Sequence, residues 1–184
     1  MEKISTSNNV CEIIKKRKTM RSYIKKEIPK EDLQEILSVT ESCPTALNKQ
    51  GYQIYVVKNQ ETKDKLCLAA QSQKQVSEAD VVLVFFADLE RGYQRNSDKK
   101  SFFYSVQDAT IATSYCQIAA HALGIGCCWV GAFKENEVIK VCKTKKNLRP
   151  ISMLTLGYTD PEYQKKIEAK GKKRKDPKRM FKFL

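Results

Sequence analysis

At 184 residues and 41% hydrophobic content, the chain can bury one core and reads as one domain, residues 1–164, followed by a basic tail, 165–184. Its formal net charge is +13; ten Lys and Arg against Glu168 and Asp176 put eight of those charges in the tail, a solvated segment able to hold an anion. Seven cysteines without a CxxC pair, and a single histidine, exclude a disulfide framework, a Cys/His zinc cluster and an iron–sulfur site, and read as the reduced thiols of a cytoplasmic protein. No leader-like apolar stretch opens the chain and no run of about eighteen apolar residues occurs, so a soluble, non-exported protein is expected.

A first helix is predicted over residues 8–18, with Val10, Ile13 and Ile14 on one face, running into the basic segment Lys15-Lys16-Arg17-Lys18-Thr19-Met20-Arg21-Ser22-Tyr23. Pro29 at a first-turn position and acids after it open a second helix, with Leu33, Ile36, Leu37 and Thr40 on one face. A loop over 42–51 leads to a strand over 52–57. A helix over 61–70 and a polar segment over 71–78 precede the continuous apolar run 81–87, which reads as a central strand. Next comes the stretch that organises the chain. Ser105 and Asp108 resemble a capping box, and no Pro or Gly follows until Gly124. Thr110, Ser114, Gln117 and His121 form one narrow polar stripe on a helix otherwise apolar, which places it at the centre of the domain or in a subunit interface. A short buried strand over 127–130 closes at Gly131, either a plain turn or a backbone that must approach a ligand. A helix over 135–143 and a strand over 151–156 complete an α+β layer arrangement.

No nucleophile and base pair off: an imidazole-activated Ser or Cys would depend on His121 alone. Rossmann and P-loop glycine patterns are absent. What remains is cationic and backbone chemistry, suited to an anionic cofactor that brings its own reactivity. Arg17, Lys18 and Thr19 offer two cations and a hydroxyl near a helix end, a grip for phosphate or simply a solvated face. Pro44, Thr45 and Asn48 punctuate a loop with an equally plain reading as an Asn-terminated turn.

In order and spacing these segments resemble the FMN-dependent nitroreductase family over residues 13–177. The family's R-R-S-V-R-x-F is matched by Arg17-Lys18-Thr19-Met20-Arg21-Ser22-Tyr23, and its P-S-x-x-N-x-Q-P-W by Pro44-Thr45-Ala46-Leu47-Asn48-Lys49-Gln50-Gly51-Tyr52. Its D-x-x-x-A helix leading into L-G-L-G-x-x-W-I-G is matched from Asp108 to Ala112 and from Leu123 to Gly131. A late Leu156-Gly157-Tyr158 turn and a basic element around Lys172 to Pro177 follow.

The resemblance implies a central mixed, mostly antiparallel sheet flanked by helices, and a homodimer with the long helix in its interface. It implies FMN, with Arg17, Lys18, Thr19, Lys172 and Arg174 at the phosphate and Arg21 at the pyrimidine edge. Pro44, Thr45 and Asn48 would reach the flavin of the other subunit, and Gly131 and Ala132 would face N5 with backbone groups. Departures from the pattern are Thr45 for Ser, Gly51-Tyr52 for Pro-Trp with an expected loosening of the loop, a short 90–100 region, and Ser72, Gln73, Lys74 and Gln75 where Asn or Lys usually meets the flavin. Cys43, beside that loop, reads as a redox-sensitive thiol or a packing residue. The implied activity is ping-pong hydride transfer from NADH or NADPH through flavin N5 to nitroaromatics, quinones or similar acceptors. The rival readings are a flavoprotein of a dehalogenating, oxidising or flavin-cleaving branch, and a nucleic-acid or acidic-partner binder acting through the tail.

Overall fold

The computed structural model of the chain describes residues 10–93, 98–171 and 174–183, without the side chains of 98–101. Strands β1 (Tyr52–Val57), β2 (Val81–Asp88), β3 (Gly126–Val130) and β4 (Leu148–Gly157) form one sheet in the order β1-β2-β4-β3. All three neighbouring pairs are antiparallel, so the described strands contain no parallel pair of the expected mixed kind. Every residue of β2 is buried. Val81, Leu83 and Phe85 enter one core and Val82, Val84 and Phe86 the other, as the period of two dictates for a strand covered on both faces. Phe85 and Phe86, both fully buried, contribute about 2–3 kcal/mol each by burial.

The first core lies under helices α2 (Lys30–Glu41) and α5 (Asp98–Ala122); the second lies under α3 (Gln60–Ala69), α4 (Gln75–Glu78) and α6 (Glu135–Cys142). Helix α1 (Val10–Lys16) rests against α5, and α7 (Pro161–Ala169) follows β4 and runs across residue 164. Residues 174–183 are exposed throughout.

Helix α5 meets the sheet with small side chains, Ala109, Ala112, Cys116, Ala119 and Ala120, which bring its backbone close to the strands. Its other face, Ile111, Tyr115 and Ile118, is only half-buried within one chain. The stripe hydroxyls of Thr110 and Ser114 bond back to the carbonyls of Val106 and Thr110 at 2.7 and 3.0 Å, so they need no outside partner. The helix ends at Gly124, whose φ of 76° suits glycine.

Two expectations are corrected. Helix α5 begins at Asp98, ahead of Ser105, so the Ser105 and Asp108 pair lies inside the helix and caps nothing. Both are buried, and their polar groups are used in tertiary contacts. Strand β4 begins at Leu148 and carries Pro150. Proline is tolerated there because β3 pairs with β4 only from Met153 onward, which leaves no ladder partner for a missing N–H on that side; the register against β2 also slips between Phe85 and Phe86.

Candidate functional site

Strand β3 is an edge of the sheet, and the basic segment closes along it. The Met20 amide donates to the Cys127 carbonyl at 3.0 Å, and the Ile24 amide to Tyr158 at 2.9 Å. Met20 and the Tyr23 ring anchor this course. Met20 is buried, and the Tyr23 hydroxyl donates to the Met20 carbonyl at 2.9 Å and lies 2.7 Å from Thr155 Oγ1. Because Cys127 and Cys128 point to opposite cores, the arginines beside them straddle the sheet edge. Arg17 lies against the Cys127 thiol on the α5 side, and Arg21 against Cys128 on the α3 side. Burial pushes the Cys127 thiol up to about 12, with the Arg17 guanidinium pulling the other way. It also raises the Cys128 thiol, against the pull of Arg21 and Gln75.

One nitrogen of the Arg17 guanidinium is buried without a hydrogen-bond partner. A charged donor left in that state is costly, so the geometry fits an anion arriving at this point. Lys18 Nζ donates to the Glu168 carbonyl at 3.3 Å, and the Arg21 amide donates to the Tyr163 hydroxyl at 3.2 Å, which sets α7 against the segment. Thr19 is half-buried beside them. Arg174 is exposed in the tail, and Lys172 lies outside the described residues.

At the far end of β3, Gly131 and Ala132 are exposed. A side chain on Gly131 would meet nothing nearer than Trp129 Nε1 at 3.4 Å, so packing within the chain gives no reason for glycine here. A close-approaching ligand does. Gln73 Nε2 donates to the Ala132 carbonyl at 3.0 Å, and Gln75 Nε2 donates to Gln73 Oε1 at 3.1 Å. Of the four residues left open by the sequence, Gln73 and Gln75 therefore reach this turn, while Ser72 and Lys74 are exposed. A cavity of about 240 Å³ opens beside Gly131, walled by Phe102, Val106, Phe133 and Ile151. Arg149 at its rim is held by Glu135 through bonds of 2.9 and 3.0 Å and lies over the Phe102 ring. A larger groove of about 620 Å³, between residues 24–27 and α3, is lined by opposed charges; its buried Lys63 is satisfied by the Ala79 and Asp80 carbonyls at 2.6 and 3.3 Å.

The loop over 42–51 stands apart. The Asp108 carboxylate accepts from the Ala46 amide at 2.9 Å and the Gly51 amide at 3.2 Å. Its nine-residue separation along α5 from Gln117, which touches Cys127, corresponds to about 14 Å of helix. Thr45 Oγ1 accepts from the Gln50 amide at 3.1 Å, and the Asn48 side-chain oxygen from Gln50 Nε2 at 2.6 Å. Leu47, Asn48 and Gln50 all have positive φ, of 48°, 55° and 44°, a concentration of strain typical of functional loops. Pro44 is exposed and Cys43 is buried, its thiol 3.7 Å from the Tyr52 hydroxyl. Burial raises the Cys43 thiol, which disfavours the thiolate a redox-sensitive cysteine needs and leaves the packing reading.

The expected loosening at Gly51 is corrected. Its amide bonds to Asp108, which proline could not do, and a Cβ there would sit 2.8 Å from both Asp108 Oδ2 and the Gly92 Cα. Ser105 Oγ donates to the Asp88 carbonyl at 3.0 Å in the same node. Reasoning from sequence missed this buried carboxylate because a Ser-x-x-Asp pattern reads as a local cap; the absence of any break before it was the available signal. The sequence could not choose among Ser72, Gln73, Lys74 and Gln75, because polar side chains in a polar connector carry no periodic mark.

The same edge strand thus has at one end an arginine with one buried, partnerless nitrogen and at the other an open glycine turn. The chain is a member of the nitroreductase family. The family's model matches residues 14–94 and 68–158. An NADH dehydrogenase of Thermus thermophilus is 45% identical across 80% of this chain and 85% of its own length. An FMN reductase [NAD(P)H] of Bacillus subtilis is 28% identical across 86% of this chain and 69% of its own. Among solved structures, NfrA2 of B. megaterium superposes with a TM-score of 0.78 at 26% identity, over 83% of this chain and 67% of that one.

Proposed function

We propose that this nitroreductase-family protein is an NAD(P)H-dependent FMN oxidoreductase. The observation that carries the reading is the buried, partnerless Arg17 nitrogen beside Cys127 at one end of β3, the strand whose other end leads into the Gly131 turn. FMN, when bound, supplies the hydride transfer from NADH or NADPH to an electron-poor acceptor such as a nitroaromatic or quinone, in a ping-pong cycle.

The work of the chain's own residues is binding and electrostatics. Arg17, Lys18 and Thr19, with Lys172 and Arg174 of the tail, hold the phosphate by fork and point charge. Arg21 would lie at the pyrimidine edge and favour negative charge there. The backbone of Gly131 and Ala132 would face the reacting edge, beside a cavity of about 240 Å³ walled by Phe102, Val106, Phe133 and Ile151 together with the charged Glu135 and Arg149.

Two copies of the chain complete two sites. The nine residues of α5, about 14 Å of helix, between the loop's anchor Asp108 and Gln117, which touches Cys127 beside Arg17, support this, since Pro44, Thr45 and Asn48 would then serve the partner's flavin. So does the half-buried outer face of α5, with exposed Val10 and Ile14 on α1 beside it. Among the described residues no helix is long and apolar enough to cross a membrane.

The purified protein is expected to be a yellow dimer whose colour bleaches on anaerobic addition of NAD(P)H. Arg21→Ala should retain FMN and bleach about tenfold more slowly. A colourless protein that takes up no added FMN would overturn the reading; a yellow one that does not bleach would keep the cofactor and remove the reductase.

A further inference from the structure

We propose that Gln73 and Gln75 are positioning residues: their linked side-chain amides fix the backbone turn at Gly131 and Ala132, so that it presents one orientation to the reacting edge of the flavin. The inference rests on the oxidoreductase reading for its last clause only; the link between the glutamines and the turn stands on geometry.

Beyond Val130 the ladder of β3 stops, and the next backbone anchor is the Lys134 amide, which donates to the Ala69 carbonyl at 2.9 Å. The residues between begin with a glycine, whose φ and ψ are the least restricted of any residue. A turn of that kind would sample many orientations. Gln73 opposes this by donating to the Ala132 carbonyl, and because the peptide unit is planar, fixing that oxygen fixes the Phe133 N–H and restricts the rotation that carries the preceding N–H.

Gln73 is itself held. Two successive residues before it, Gln71 and Ser72, have φ of 57° and 58°, a left-handed course that non-glycine residues adopt at a cost. Ser72 and Gln73 amides tie this turn to the carbonyls of Cys67 and Ala70 at 2.9 and 3.2 Å, and the Val76 amide returns to the Gln73 carbonyl at 2.9 Å. Gln75 is buried in an otherwise apolar core beside Val76. There an amide costs stability unless bonded, and one of its two N–H donors goes to Gln73 Oε1. That bond orients the Gln73 amide so that its donor faces Ala132. Gln75 also touches Cys128, against which Arg21 lies, so the chain of contacts reaches from the Gly131 turn to Arg21.

The test uses the full-length protein with and without FMN. Gln73→Leu and Gln73→Glu both remove the donor to Ala132. In the apoprotein each should raise amide hydrogen exchange over residues 131–134 about tenfold while leaving exchange in β2 unchanged. In the FMN-loaded protein each should shift the visible flavin spectrum and its midpoint potential, with FMN affinity changed by less than about threefold because the phosphate end is untouched. Gln75→Leu, which replaces a core amide with an apolar group of similar size, should act in the same direction and more weakly. The double variant Gln73→Leu with Gln75→Leu should show no more than Gln73→Leu alone. Unchanged exchange over 131–134 in both single variants overturns the proposal, as does unchanged spectrum and potential in variants that bind FMN. If no form of the protein binds FMN, the oxidoreductase reading fails, and the exchange result still decides whether the glutamines hold the turn.

Discussion

The 42–51 loop and the 17–23 segment are both built from short polar motifs, both lie against the ends of secondary structure, and both carry residues expected at a flavin. They are finished to different degrees. The loop is complete within one chain: a buried carboxylate satisfies two of its amides, and its polar side chains satisfy each other. The segment is anchored through its backbone to β3, yet its guanidinium leaves a buried nitrogen without a partner. A protein scaffold can be closed by its own hydrogen bonds, whereas a binding site retains an unmet donor that only the ligand satisfies.

Removing the anchor of the loop is the strongest way to probe this contrast. Asp108→Ala strands two amides and is expected to cost about 4 kcal/mol in denaturant unfolding. Gly51→Ala attacks the same node by overpacking and should cost about 2–3 kcal/mol. Arg17→Met should behave oppositely: the apoprotein keeps or gains stability, while the FMN Kd rises about thirtyfold, or about 2 kcal/mol. A stability loss at Arg17 as large as that at Asp108 would erase the distinction between the two regions. A further probe is pH. Burial raises the Cys116 and Cys127 thiols from their ordinary 9.0 to about 12, so the folded state holds these protons more tightly than the unfolded chain. The stability they contribute is complete below pH 9 and declines as pH rises toward 12, which unfolding midpoints measured between pH 8 and 11 would reveal. A flat profile would mean that the edge beside Arg17 is open to solvent.

Much of the molecule was legible because its signals are local. The apolar run of β2 announced a strand covered on both faces, Gly124 announced the end of α5, and the spacing of Leu33, Ile36 and Thr40 announced the buried face of α2. The start of α5 was misread, since Ser105 and Asp108 form a pattern whose local meaning is a cap and whose actual partners, Asp88, Ala46 and Gly51, are remote in sequence. Pro150 likewise reads as a break, and is tolerated only because β3 is shorter than β4.

By itself the sequence determined the element types, the order of the motifs and the kinds of chemical group available, because helix and strand periodicity and charge are properties of neighbours along the chain. Tertiary structure alone decided that one Arg17 nitrogen is buried without a partner, that Asp108 builds a loop rather than a helix end, and that Gln73 reaches Ala132. Those outcomes depend on which groups meet across the fold and on which of them water can no longer reach, and burial converts an ordinary polar residue into either an anchor or an unmet demand.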